Sequence, residues 1–249
     1  MTRILLLGGT TEANDLAKRL SAVGADAIYS YAGRTQSPVA QPLPTRVGGF
    51  GGVPGLVRYL QTEQVTHIVD ATHPFATGMS ENAAAAAAQA CVSLIRLERL
   101  AWAPQTGDSW TMLGAVDDIP AALPNLPARV FLAIGKQQLH LFAVKPQHHY
   151  LLRLVDQPDA PLPLPNTSVL VARGPFTAEG DIALLREHRI THIVAKNAGG
   201  LAARAKLDAA RALGLPVIMA ERPTLPKGPV ADSVAQVMAW LGHTALRGV

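Results

Sequence analysis

The sequence has little cysteine, few aromatic residues and little charge. Of its 249 residues one is cysteine, 5% are aromatic and 16% are charged, whereas 49% are hydrophobic. This balance indicates a folded globular chain rather than a disordered one. The single cysteine, Cys91, excludes an internal disulfide, and its place in an alanine-rich stretch predicts a small buried side chain rather than a catalytic thiol.

Sequence signals for metals, nucleic acids and membranes are also lacking. There is no CxxC motif, and the adjacent His148 and His149 would point to opposite faces of a strand, so no metal ion is predicted. Blocks of Lys and Arg are missing, which argues against nucleic acid as a partner. The apolar run at residues 4–7 is too short for a signal peptide or a membrane span, so we expect a cytoplasmic protein without a membrane partner.

Short apolar runs alternate with helical stretches along the chain, and this alternation predicts parallel sheets built from βαβ units. Strands are predicted at 3–7, 27–31, 46–47, 67–70, 92–96, 129–134, 150–154, 168–172, 192–196 and 217–220. Helices are predicted at 11–23, 53–63, 77–90, 137–144, 178–187, 201–213 and 230–241. The proline-rich segment 117–127 indicates a linker. The predicted fold is α/β, with two Rossmann-like or flavodoxin-like domains, 1–124 and 125–249, and an active site in the cleft between them.

The two halves share a short repeat and differ in charge. The pentapeptide VTHIV at 65–69 recurs as ITHIV at 190–194, which suggests two related units. Residues 1–127 hold 8 Lys or Arg and 10 Asp or Glu, whereas residues 128–249 hold 14 and 8. The basic second half is therefore expected to meet an anionic ligand, with a solvated surface as the alternative.

Two motifs in the first half indicate a nucleotide. Residues 8–13, GGTTEA, follow a strand and open a helix, where backbone N–H groups could hold a phosphate; an ordinary turn capped by threonine is the alternative. After the second strand, Arg34 stands where NAD-preferring folds carry an acidic residue, and its guanidinium suits a 2′-phosphate. The alternative for Arg34 is a solvated surface side chain.

Two further segments could complete a cofactor site. Residues 48–52 include four glycines, which would let the backbone pass close to a cofactor, with Phe50 against a ring; a flexible surface loop is the alternative. The segment 70–76, DATHPFA, follows a strand beside the expected nicotinamide position. His73 could donate a proton there, although a lone histidine is more often structural.

Cations recur at or just after the strands of the second half, where ligands bind in open parallel sheets. Such a set would attract a small ligand with several carboxylates. The residues of this set are Lys136, Arg173, Lys196 and Arg222.

With these motifs the chain resembles the precorrin-6A reductase family. The matching segments are 8–13, 31–34, 46–52, 70–76, 173–176 and 196–200, in order along most of the chain. The resemblance implies reduction of one double bond, a CH–CH oxidoreduction, in the precorrin-6A macrocycle to give precorrin-6B in cobalamin biosynthesis. It further implies NADPH as hydride donor on the first domain, no flavin or metal, and an anionic tetrapyrrole held by the basic second domain.

The residues expected to act follow from these motifs and from the resemblance. The expected cofactor-binding residues are Gly8, Gly9, Thr10, Thr11, Glu12, Arg34, Gly48, Gly49, Phe50, Gly51, Thr72, His73 and Pro74. The expected substrate-binding residues are Lys136, Arg173, Lys196, Asn197, Gly199 and Arg222. The catalytic candidates are His73 and Lys196, with solvent as a third proton source. Two alternatives stay open: a cofactor-free enzyme of the uroporphyrinogen-III synthase type, and a nucleotide-sensing regulator.

Overall fold

Two parallel sheets carry the fold of the computed structural model, which describes residues 2–33 and 38–246. The first elements are β1 (Arg3–Leu7), α1 (Thr11–Ala22), β2 (Asp26–Tyr31), β3 (Thr45–Val47), α2 (Gly52–Thr62), β4 (His67–Asp70), α3 (Thr77–Ala90) and β5 (Ser93–Leu97). Next come β6 (Trp110–Leu113), α4 (Ile119–Ala122), β7 (Arg129–Ala133), β8 (His149–Leu154), β9 (Thr167–Val171), α5 (Ala178–Glu187) and β10 (His192–Lys196). The last are α6 (Ala205–Leu213), β11 (Val217–Ala220), β12 (Val230–Ala231) and α7 (Val234–Leu246), and short 3₁₀ helices occupy Val116–Asp118 and Lys136–Val144.

Both sheets have the doubly wound order predicted from the strand–helix alternation. The first runs β12-β5-β4-β1-β2-β3 and the second β6-β11-β10-β7-β8-β9, with every pair parallel. In the first sheet the chain starts at the central strand β1, continues outward through β2 to β3, and then returns to β4 on the other side of β1. In the second sheet the edge strand β6 comes first, after which β7, β8, β9 and β10 follow the same path as β1, β2, β3 and β4. The direction therefore reverses between β1 and β4 and between β7 and β10, where ligands of such sheets bind.

The division into units differs from the predicted boundary at residues 124 and 125. One unit consists of Met1–Leu100 with Thr224–Val249, and the other of Ala101–Pro223. The reason is strand pairing at the sheet edges. Strand β6, in a segment where no strand was predicted, pairs with β11, while β12 returns the end of the chain to β5. The expected linker at 117–127 is therefore part of the second unit and contains α4.

The new boundary also removes the charge asymmetry of the two halves. The first unit holds 10 Lys or Arg and 8 Asp or Glu, and the second holds 12 and 10, so each carries a net charge of +2. The expectation that one domain is strongly basic was wrong, because it depended on where the chain was cut. Any preference for an anionic ligand must come from the placement of particular cations.

Burial explains why these segments form their elements. In β1 the last four residues are buried, as expected for a central strand covered on both faces. Helix α1 buries Ala13, Leu16, Ala17 and Leu20, whose spacing defines one helical face, and its N-cap Thr10 accepts a hydrogen bond from the Ala13 N–H.

The repeated pentapeptide has the same structure in both units. Backbone N–H groups of Thr66 and Thr191 donate to the first carbonyls of β1 and β7, at 2.9 and 2.8 Å. Two residues before each threonine, Gln64 and Arg189 adopt positive φ angles of 52° and 51°. The repeat thus marks equivalent crossovers into β4 and β10, which supports the prediction of two related units.

Several element predictions need correction. The helix predicted at 201–213 begins at Ala205, and the one predicted at 230–241 is strand β12 followed by α7. The helix predicted at 137–144 is a 3₁₀ helix. Cys91 is exposed, because it ends α3 with a left-handed backbone and lies outside the buried face of that helix.

Candidate functional site

The turns that follow β1 and β4 meet where the first sheet reverses direction. The Thr10 hydroxyl, buried at the start of α1, donates to the carbonyl oxygen of Ala71 at 2.8 Å and accepts from the Ala13 N–H at 3.1 Å. One side chain therefore caps the helix and fixes the two turns to each other. The predicted cofactor residues Gly8–Glu12 and Thr72–Pro74 flank this bond.

A glycine is required at position 8 because the side chain of Tyr29 leaves no space for a Cβ there. A Cβ on Gly8 would lie 2.1–2.3 Å from two ring carbons and the hydroxyl oxygen of Tyr29. The Tyr29 hydroxyl accepts from the Gly9 N–H at 2.9 Å and donates to Asn14 Oδ1 at 2.7 Å, and burial raises its pKa. Because the N–H groups of Gly9 and Ala13 already have side-chain acceptors, an anion at this helix would use the remaining N–H groups of the first turn, which lack intrahelical acceptors.

The glycine-rich segment after β3 is braced by a residue of its own strand. Arg46 donates to the carbonyl oxygens of Gly48 and Gly49 and to the Ser30 hydroxyl, at 2.8–3.1 Å. Its guanidinium carbon lies 3.8 Å from the Phe50 ring centroid, and burial lowers its pKa. Phe50 also contacts Tyr59 edge to face, at 5.1 Å between centroids. The ring predicted to face a cofactor thus packs against protein, and the loop is braced rather than loose.

Asp70 organises the turn that carries His73. This buried carboxylate ends β4 and accepts from the Thr72 N–H at 3.1 Å, the Thr72 hydroxyl at 2.7 Å and the Ser80 hydroxyl at 2.5 Å. One of these donors is a backbone amide, and the other two are hydroxyls. His73 Nδ1 accepts from the Phe75 N–H at 3.2 Å, so in a neutral imidazole the proton lies on Nε2. His73 could therefore donate through Nε2.

A narrow crevice runs along this turn. It is lined by Thr72, His73 and Pro74 from the turn after β4, by Arg96 and Glu98 at the end of β5, and by Leu225. An ion pair spans the same edge of the sheet: Arg99, two residues past β5, lies 2.5 Å from the carboxylate of Glu12.

The predicted substrate residues follow strands of the second sheet, and Lys136 and Lys196 lie at its reversal between β7 and β10. Lys136 follows Gly135 at the end of β7 and lies 3.8 Å from Asp159, and Arg173 lies 3.7 Å from Asp156. Lys196 ends β10, and burial lowers its pKa. A lowered pKa makes the ammonium form of this lysine a stronger acid, so it gives up its proton more readily than the ammonium of an exposed lysine.

The remaining predicted substrate residues bond mainly within the protein. The buried side chain of Asn197 accepts from the Trp102 N–H at 2.8 Å and donates to the Trp102 carbonyl at 3.0 Å. The Trp102 indole donates to Gly200 at 2.7 Å, next to Gly199. Arg222 donates to the carbonyls of Asn197 and Ala198 at 2.9 and 3.1 Å. Trp102 thus anchors the loop after β10, a role that no sequence motif indicated.

The structure therefore brings together two sets of predicted residues, one at the reversal of each sheet. Gly48–Gly51 lie beyond the first set, after the edge strand β3, and Arg173 lies beyond the second, after the edge strand β9. Arg34, expected to bind a 2′-phosphate, lies outside the described residues.

Comparison with known proteins agrees with this geometry. A family model described as precorrin-6x reductase CbiJ/CobK matches residues 3–242. The chain belongs to the precorrin-6x reductase family. A precorrin-6A reductase of Rhodobacter capsulatus is 61% identical over the full length of both chains, and a cobalt-precorrin-6A reductase of Priestia megaterium is 30% identical over 94% of this chain and 96% of its own. A solved structure of the precorrin-6A reductase CobK is 60% identical, with a TM-score of 0.95 over 98% of this chain and 97% of that one.

Membership of the precorrin-6x reductase family makes the protein an oxidoreductase of cobalamin biosynthesis. The two alternatives left open by the sequence, a synthase without cofactor and a regulator, are thereby not supported. Within the described residues no helix is long and apolar enough to cross a membrane.

Proposed function

We propose that the protein reduces precorrin-6A to precorrin-6B with NADPH as the hydride donor. The observation that carries this proposal is the 61% identity, over both full lengths, to a precorrin-6A reductase. The relative named for the cobalt-containing substrate is only 30% identical, which favours the cobalt-free macrocycle as the substrate.

The first sheet supports a dinucleotide as the cofactor. The turn after β1 opens α1 at the reversal point, and a Cβ on Gly9 would meet no atom within 4 Å, so the backbone is open to a ligand there. The N-terminal turn of α1 can receive a diphosphate. After β2, Gly33 and Arg34 stand in the place of the acidic residue that would favour NAD, and a guanidinium pairs well with a 2′-phosphate.

When bound, NADPH supplies the hydride, and the protein supplies orientation and a proton. The hydrogen bond between Thr10 and Ala71 holds the two turns in fixed register, which limits where a cofactor can lie. The N–H at His73 Nε2 and the protonated amine of Lys196 are the two proton donors that we assign as candidates. The side chains of Lys136 and Arg173 are 47% and 41% exposed, which is enough for them to meet the carboxylates of a tetrapyrrole.

Titration of the purified protein with NADPH and NADH, followed by cofactor fluorescence, tests the cofactor. We expect clear preference for NADPH, and Arg34→Ala should weaken NADPH binding by ~1.5–3 kcal/mol with little effect on NADH, since a charged hydrogen bond is lost. Arg58→Ala, at an exposed arginine of α2, is the matched control and should bind both cofactors as the parent does.

Turnover with precorrin-6A completes the test. Oxidation of one NADPH per macrocycle, with a product two hydrogens heavier by mass spectrometry, is the expected result. A parent protein that binds neither cofactor would overturn the proposal, and equal losses for NADPH and NADH in Arg34→Ala would remove the role of Arg34.

A further inference from the structure

The ion pair between Arg99 and Glu12 bridges three strands of the first sheet. Glu12 is the second residue of α1, which follows β1, and Arg99 lies just past β5. Strand β4 lies between β5 and β1, so the pair crosses the carboxyl edge of the sheet beside the end of β4. The two side chains are 87 residues apart in sequence and 2.5 Å apart in space.

The pair is also shielded from solvent. The side chains of Arg99 and Glu12 are 15% and 25% exposed, whereas those of the pair Lys18 and Asp15 on the same helix are 71% and 57% exposed. Charges in a shielded place interact more strongly than charges in water, and salt screens them less. Removal of one partner should therefore have a measurable effect on the electrostatic potential at this edge.

The negative charge of Glu12 has two opposite effects at the N-terminus of α1. An acidic residue in the first turn stabilises a helix, because it faces the positive end of the helix dipole. A diphosphate attracted to the same N-terminal turn would be repelled by that carboxylate. A guanidinium bound to Glu12 cancels most of the repulsion and leaves the N–H groups of the turn available.

We propose that Arg99 is a cofactor-positioning residue, which neutralises Glu12 so that the N-terminal turn of α1 accepts the diphosphate of NADPH. This inference rests on the proposed function, and it changes the role of Glu12 from the expected one. Glu12 stabilises the helix and is not a cofactor ligand, while Arg99, which no sequence motif indicated, sets the charge of the site.

Cofactor titration of three single variants and one double variant tests this role. We expect Arg99→Ala to weaken NADPH binding about tenfold, Arg99→Lys to stay within about threefold of the parent, and Glu12→Gln to bind NADPH about two- to fivefold more tightly. In Arg99→Ala/Glu12→Gln the affinity should recover, because the uncompensated carboxylate is gone. The loss in Arg99→Ala should also shrink as salt is raised from about 0.05 to 0.5 M.

If the ion pair between Arg99 and Glu12 only stabilises the fold, the NADPH affinities of the variants will follow a different pattern. In that case Glu12→Gln, Arg99→Ala and the double variant would all weaken NADPH binding to a similar extent, independently of salt, and that result would overturn the inference. Thermal unfolding of each variant identifies any that fail to fold, and Arg99→Lys and Glu12→Gln, which nearly keep the size of the side chain, still decide the question. Failure of the parent to bind NADPH would instead refute the proposed function.

Discussion

At the scale of single residues, the sequence identified which residues lie at the strand ends better than it identified the groups that those residues contact. Gly8 was expected to let a phosphate approach, but the ring of Tyr29 occupies the space that a side chain would need. Asn197 was expected to contact substrate, and its amide is instead bonded to the backbone of Trp102. Such residues contact other parts of the protein. Their substitution would therefore change the site through the turn or loop to which they belong.

Gly8→Ala tests the close approach of Tyr29. The added methyl group would overlap a fully buried ring, so we expect a loss of ~1–3 kcal/mol in the free energy of unfolding, as for other overpacked cores. Urea unfolding followed by circular dichroism measures it. Gly78→Ala in α3, where a Cβ meets nothing within 4 Å, is the control and should be neutral or stabilising by up to ~1 kcal/mol. Equal stability of the two variants would show that Tyr29 moves aside freely.

At the scale of elements, a buried ion pair connects β8 to α5 in the second unit. The guanidinium of Arg153 bonds to the carboxylate of Asp181, and their side chains are only 9% and 5% exposed. The same guanidinium lies 4.0 Å from the ring centroid of Phe176 and 5.0 Å from that of Phe131. The segment that leads from Arg173 to α5 is therefore held through Phe176 against β7 and β8.

Asp181→Ala should be strongly destabilising, because it leaves the Arg153 charge buried without its carboxylate. We expect a loss of ~3–5 kcal/mol in the free energy of unfolding. The exposed pair of Lys18 and Asp15 supplies the comparison, since Asp15→Ala should cost less than ~1 kcal/mol. Chemical denaturation of both variants gives the two values. A small loss for Asp181→Ala would mean that solvent reaches Arg153 readily.

At the scale of the whole molecule, edge strands decide which residues form a unit. The second sheet takes its outermost strand, β6, from residues just before β7, and the first takes β12 from the end of the chain. All six strands of the second sheet thus lie within the continuous segment Ala101–Pro223. The first unit, in contrast, needs two separate stretches of chain.

The fragment 101–223 is therefore expected to fold by itself. Its sheet is complete, whereas the fragment 125–223, which begins at the boundary suggested by the prolines, lacks β6 and α4. We expect cooperative urea unfolding for the longer fragment and a broad or absent transition for the shorter one. Cooperative unfolding of both with equal midpoints would show that β6 contributes little to the second unit.

The sequence by itself determined the α/β class, most of the strands and the positions of the glycine turns. Periodicity and strand-end motifs are local signals, and β1, β4, α3, α5, β10 and β11 have the predicted starts to within one residue. The tertiary structure alone decided the unit boundary, the exposure of Cys91 and the pairing of Arg99 with Glu12. These depend on contacts between segments distant in sequence, and strands as short as β12, with two residues, carry no periodicity from which to predict them.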